Sequence, residues 1–246
     1  MAYNAFAKYY DRLMSDCDYT ERADYLLGLF DRMGHTPMCM LDLCCGTGSM
    51  TVELARRGVD MIGVDMSADM LSVARMKCEA AGVQPLLLCQ DAAQLDLYGT
   101  VDSAVCTLDS LNHITEYGRF CAVIRNVALF MEPGGYFIFD MNTLYKHEKV
   151  LGDNTFVIDD DDLYCVWQNS SDGQYIDIDL DFFCRGDDGR YERASESLTE
   201  RAYSDDEITD ALEAAGFETV DILDDMSLLP PHGRSERQIF IARCVK

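Results

Sequence analysis

A chain of 246 residues with 48% apolar content is long enough for one α/β domain with room for an insertion, and too apolar to remain disordered. Its 44 acidic against 20 basic residues give a formal charge of −24 with no lysine or arginine cluster, which excludes a grip on a nucleic-acid backbone and favours a small molecule or a basic partner. No apolar stretch approaches a membrane span, no basic start and apolar run opens at Met1, and the eleven cysteines lack paired metal-type spacing, so the expectation is a cytoplasmic protein with reduced thiols and no metal.

Tyr3 to Met33 reads as two helices, because Tyr25, Leu26, Leu29, Phe30 and Met33 recur at helical spacing before Gly34. Strands and helices then alternate. Met38–Leu43 is a short apolar strand, a glycine turn follows, and a helix runs to Arg57. Met61–Val64 is the next strand, and Ser67 and Gly82 bracket the next helix. Pro85–Cys89, Val101–Leu108 and Tyr136–Phe139 read as strands, with a helix over Glu116–Phe130. Repeated units of this length imply a parallel sheet covered on both faces.

After Asn142 the rhythm changes. Ile176, Ile178, Leu180 and Phe182 alternate with Asp177, Asp179 and Asp181, the pattern of a half-buried antiparallel strand between turns at Asp172-Gly173 and Asp188-Gly189. Ser204-x-x-Glu207 is a capping box for a helix to Ala215, and Phe217–Leu223 and Gln238–Cys244 close the chain as strands. The organisation read here is a helical cover over 1–34, a core of 35–150 and 203–246, and an inserted antiparallel sheet over 151–202.

The chemistry concentrates at strand ends. Asp42-Leu43-Cys44-Cys45-Gly46-Thr47-Gly48 lies where a strand becomes a helix, so the backbone can approach a ligand and offer free N–H donors. The turn alone would also suit a dinucleotide, but Thr51 stands where that fingerprint wants a third glycine. Asp65 ends the second strand, where a carboxylate can take both hydroxyls of a ribose, and Met66 can lie on an adenine face. Gln90-Asp91-Ala92 follows the third strand, where an acid can accept adenine amino hydrogens. Either aspartate alone would be read as a helix cap; two at consecutive strand ends beside the glycine turn make a ligand edge. Asp177-x-Asp179-x-Asp181 is no calcium loop, since Phe182 fills the required glycine position, and Asp159–Asp162 reads as a solvated turn.

These pieces, with Glu132-Pro133-Gly134-Gly135, come in the order and spacing of the class I S-adenosylmethionine-dependent methyltransferases, which the chain resembles. More narrowly it resembles small bacterial methyltransferases that carry Phe6-Ala7-Lys8-Tyr9-Tyr10-Asp11, Leu108-Asp109-Ser110-Leu111-Asn112 and an antiparallel insertion after the fifth strand. Cys44 departs from the motif, where glycine or alanine is common. The resemblance implies a Rossmann-like, doubly wound, mostly parallel sheet with an antiparallel last strand and a β lid, using S-adenosyl-L-methionine as cofactor. It implies that Gly46, Gly48 and Cys44 line the methionine part, and that Asp42 holds the turn and the ammonium. Asp65 and Met66 would take the ribose and adenine, with Gln90, Asp91 and Ala92 completing the adenine site. Thr107, Leu108 and Asp109 would pass beneath the sulfonium, with Tyr10 reaching in from the N-terminal cover. The activated methyl needs mainly alignment and exclusion of water; if a base is used, Tyr10, Asp109, His113 and His147 are the candidates by placement, with Asn112 beside them. The acceptor expected is a small molecule. A basic protein substrate, a nicotinamide-dependent oxidoreductase and a non-catalytic binding protein are the alternatives.

Overall fold

The structure, a computed structural model, describes residues 4–186 and 188–246; Tyr3 and the Phe6 side chain lie outside the described residues. Helices α1 (Asn4–Leu13) and α2 (Tyr19–Arg32) lead into β1 (Cys39–Leu43), α3 (Ser49–Arg56), β2 (Asp60–Asp65), α4 (Ala68–Ala81), β3 (Leu86–Cys89), β4 (Val101–Cys106), α5 (Tyr117–Phe130) and β5 (Met131–Asn142). Strands β6 (Thr155–Asp160), β7 (Leu163–Ser171), β8 (Tyr175–Arg185) and β9 (Tyr191–Arg201) precede α6 (Asp205–Ala215), β10 (Phe217–Asp224) and β11 (Arg237–Cys244). The main sheet has the order β10-β11-β5-β4-β1-β2-β3. Strands β1 to β5 pair in parallel, and β11 enters antiparallel to both β5 and β10. The chain leaves β1 for β2 and β3 on one side and returns to β4 and β5 on the other. The crevice at the carboxyl ends of β1 and β4 is therefore the switch point where open sheets bind ligands.

Strand alternation divides the core. Leu41, Leu43, Ala104, Cys106, Phe137, Phe139 and Phe240 face the layer of α5 and α6, while Met40, Val105, Ile138, Ile239 and Ile241 face that of α2 and α3. Ser67 accepts from the Met70 N–H, Gly82 closes α4 in the left-handed region, and the Ser204–Glu207 capping box forms in full. A separate four-stranded antiparallel sheet, β6-β7-β8-β9, packs Ile176, Ile178, Leu180 and Phe182 into a third cluster that also takes Tyr9 from α1. On its other face Asp177, Asp179 and Asp181 accept hydrogen bonds from Thr199, Ser197 and Ser195, a cross-strand polar ladder.

Three expectations are corrected. The fourth strand stops at Cys106 rather than Leu108, because Leu108 and Asp109 turn into the left-handed region (φ 61° and 53°). The fifth begins at Met131, five residues earlier than its apolar run; Pro133 is tolerated because β11 pairs only from Tyr136 onward. Asp160 and Asp162 are not a free solvated turn, since Arg12 of α1 bonds both at 2.6 and 2.7 Å.

Candidate active site

The glycine turn stands open at the carboxyl end of β1. Gly46 and Gly48 both have positive φ; a Cβ on Gly48 would lie 2.7 Å from that of Ala74, whereas one on Gly46 would meet nothing within 4 Å. Gly48 is closed by packing and Gly46 faces open space. Cys44 also adopts φ 57°, which explains why glycine suits that position. Asp42 lies buried beneath the turn and accepts from the Thr51 hydroxyl at 2.5 Å, so the residue that spoils a dinucleotide fingerprint is the one that anchors α3. Burial pushes the Asp42 carboxyl up to about 7 against the Thr51 hydrogen bond, with the charge of Asp65 adding to the rise.

Asp65 completes the turn. Its Oδ2 accepts the Gly46 N–H at 2.9 Å and its Oδ1 the Ser67 N–H at 2.8 Å, which aims the carboxylate across the crevice. Burial raises its pKa, and those backbone donors oppose the rise. Met66 is more than half exposed beside it. Asp91 caps a 3-10 turn through the Ala93 N–H and is held by Arg119 at 2.6 Å, with Ala92 buried behind it. The Gln90 side chain is spent on the backbone of Asp96, which accepts at 2.9 Å and donates at 3.0 Å. The Gln90 N–H is engaged as well, donating to the Asp65 carbonyl at 3.0 Å.

Beyond β4 the chain makes a strained corner. Consecutive N–H groups of Leu108 and Asp109 donate to the two oxygens of buried Asp140 at 2.7 and 2.5 Å, and Thr107 accepts from Ser110 Oγ. The Asp109 carboxylate is bound by Arg237, a β11 residue with no signal in the sequence pattern. Burial works to raise Asp109, but the Arg237 guanidinium outweighs it, with Lys146 and His113 assisting, and holds the carboxyl at about 2. A carboxylate this acidic is not a general base. Arg22 of α2 joins the group, 2.9 Å from Asp225 and 3.7 Å from Asp140. The Asn112 side chain is engaged by the backbone around it. It is fully buried, donates to the carbonyls of Arg201 and Asn142, and accepts the Asn142 N–H, so its amide ties the corner to β5 and β9.

His113 is partly exposed at the end of this corner. Its Nε2 lies 3.8 Å from Glu200 Oε1, and a ligand atom from each of Asp109, His113 and Glu200 falls within 4.8 Å of the others. His147 is wholly buried behind Glu200 instead of facing the crevice. Tyr10 of α1 is sensed electrostatically by Asp109 and Arg237; burial first, then Tyr19 and Asp109, push its phenol well above its ordinary value, which keeps it protonated. Asp11, next along α1, accepts from Thr47 at 2.7 Å and from Lys77 at 2.6 Å, so the helix sits on the glycine turn. Two open cavities, one walled by Tyr203, Asp205 and His232 and the other by Asp162, Tyr164 and Tyr191, include no residue of that turn.

A glycine turn after the first strand, an acid after the second, and a switch-point crevice roofed by an N-terminal helix define the class I S-adenosylmethionine-dependent methyltransferase architecture. Residues 40–135 match the methyltransferase domain family. The chain is 31% identical to a Geobacillus sp. (strain WCH70) protein provisionally named a methyltransferase, over 99% of this chain and all of that one. It is 30% identical to YqeM of Bacillus subtilis (strain 168), also provisionally named so, over 99% and 97%. The crystal structure of an S-adenosylmethionine-dependent methyltransferase from Clostridium acetobutylicum ATCC 824 superposes with a TM-score of 0.91 at 32% identity, covering 99% of both chains. This chain belongs to the S-adenosylmethionine-dependent methyltransferases, and its cofactor is S-adenosyl-L-methionine. Among the described residues, no helix is long and apolar enough to cross a membrane.

Proposed function

We propose that the chain carries the methyl group of S-adenosyl-L-methionine in line to a small-molecule acceptor held between the sheet edge and α1. The observation that carries this reading is the Asp65 carboxylate, aimed by the Gly46 and Ser67 N–H groups beside an open Gly46. In this reading Asp65 takes the ribose diol, Met66 and the Asp91–Ala92 segment the adenine, and Gly46, Gly48 and Asp42 the amino-acid end. The bound cofactor supplies an activated methyl on sulfur; the protein supplies position and dryness. Thr107, Leu108 and Asp109 form the floor, Tyr10 is the packed cover, and the antiparallel sheet is the lid of the acceptor pocket. All eleven cysteines stand as free thiols, the state a reducing compartment keeps, which supports a cytoplasmic place of action.

The test is calorimetry with S-adenosyl-L-methionine on the wild type and on Asp65→Ala. Loss of hydrogen bonds to a charged group should weaken binding by about 1.5–3 kcal/mol. Wild-type affinity in the variant would remove Asp65 from the cofactor site.

A further inference from the structure

Glu200 reaches the corner from β9, in the inserted sheet, and with Asp109 and His113 it makes a three-cornered set of acceptors. The His113–Glu200 edge is 3.8 Å and every edge stays within 4.8 Å. A divalent transition metal with bonds of about 2.1 Å draws neighbouring ligands to roughly 3.0–3.4 Å of one another. A tetrahedral nitrogen donating three hydrogen bonds of about 2.8 Å sets its acceptors roughly 4.6 Å apart. The 3.8 Å edge lies between these two spacings, and three acceptors this close together can each take one N–H of a single ammonium nitrogen.

The surrounding charge agrees. Around Arg237 gather four carboxylates, Asp109, Asp140, Asp225 and Glu200, against three cations, Arg22, Lys146 and Arg237 itself. The carboxylates outnumber these cations by one, so the surroundings favour a cation over an anion. Behind Glu200, the Nε2 of fully buried His147 faces Oε2 at 3.3 Å with no hydrogen bond made, and Nδ1 faces the Gln174 carbonyl at 3.4 Å. A buried polar atom left in that state marks a polar cluster that is incomplete as it stands.

We infer that Asp109, His113 and Glu200 receive a primary amine as its ammonium ion, so that the methyl acceptor is an amino group; this rests on the methyl-transfer reading above. His113, the most exposed of the three, takes one N–H proton at Nε2 and frees the nitrogen lone pair. That pair forms the new nitrogen–carbon bond as the carbon–sulfur bond breaks, and the bond's electrons stay on sulfur. The methylated nitrogen carries the positive charge, and His113 returns its proton to water. Glu200 and Asp109 position the amine and take no proton.

The experiment uses the full chain saturated with S-adenosylhomocysteine, with ¹³C-labelled histidine rings observed by NMR. The probe is n-propylamine at pH 7, compared with 1-propanol, propionate and, separately, zinc chloride. The amine should move the His113 ring resonance saturably, and the other organic probes should not. Glu200→Gln should weaken amine binding at least tenfold with S-adenosylhomocysteine affinity unchanged; His113→Gln, followed by calorimetry, should do the same if the first variant does not fold. With radiolabelled methyl donor, label should pass to propylamine and not to propanol. Equal responses to amine and alcohol, an amine affinity indifferent to both substitutions, or micromolar zinc held by His113 and Glu200 would each overturn the inference. Failure to bind S-adenosylhomocysteine would instead overturn the methyl-transfer reading beneath it.

Discussion

Replacing Asp42 by asparagine separates the carboxyl's charge from its hydrogen bond. Asparagine still offers an oxygen to the Thr51 hydroxyl but cannot ionise. In the folded protein Asp42 titrates at about 7, above its ordinary 3.8, so the unfolded chain ionises first as pH rises. Stability is therefore full below about pH 4, falls as pH rises toward 7, and levels off beyond it. Each pH unit across that gap costs about 1.4 kcal/mol, which makes the whole gap worth about 4 kcal/mol. Between pH 5 and pH 8 the variant should gain about 2.7 kcal/mol on the wild type, because two units of the gap lie in that interval. Urea unfolding followed by circular dichroism at both pH values measures this. Parallel stability–pH curves for the two proteins would refute the reasoning, since the buried carboxyl would then not be the group that titrates.

Tyr10→Phe should keep most of the methyl-transfer rate and Tyr10→Ala lose much more, because a protonated, packed phenol aligns rather than accepts a proton; equal damage in single-turnover assays would make it a base. Asn112→Ala strands the Asn142 N–H and the Arg201 carbonyl and should cost about 2–4 kcal/mol of stability in denaturant titrations, with wild-type stability as the refuting result. Arg237→Met should cost about 3–5 kcal/mol at pH 7 by leaving Asp109 and Asp140 buried without their cation, and less at pH 3 as they protonate; a loss equal at both pH values would assign it to packing.

The main sheet was legible because its strands announce themselves locally, as apolar runs alternating with helices that end at Gly58, Gly82 and Gly216. The alternation from Ile176 to Phe182 likewise predicted a face that the structure buries. The glycine turn stands at the strand-to-helix junction read from the sequence, though its tie to Asp65 spans 19 positions. What escaped depends on distant partners. Arg237 is an ordinary strand residue until β11 slots beside β5 and sets it against Asp109, 128 positions away. Glu200 meets His113 only because the second sheet folds back onto the corner. Asn112 was read as chemistry from its place after the fourth strand, but a buried amide facing two carbonyls and an N–H is claimed by the backbone first. The fourth strand was drawn too long because nothing in Thr107-Leu108-Asp109 marks the left-handed turn that Asp140 supports from β5.

Helix α1 touches both the glycine turn and the second sheet. Asp11 binds Lys77 and Thr47 over the glycine turn, while Arg12, one residue on, clasps Asp160 and Asp162, and Tyr9 stacks on Phe182 at 5.4 Å. Ten residues therefore serve as a crossbar between the nucleoside side and the second sheet. Displacing α1 from the glycine turn would also strain its ion pairs to Asp160 and Asp162 and its Tyr9–Phe182 stack. High salt, which weakens those ion pairs, should therefore loosen α1 from the glycine turn and from the second sheet at once.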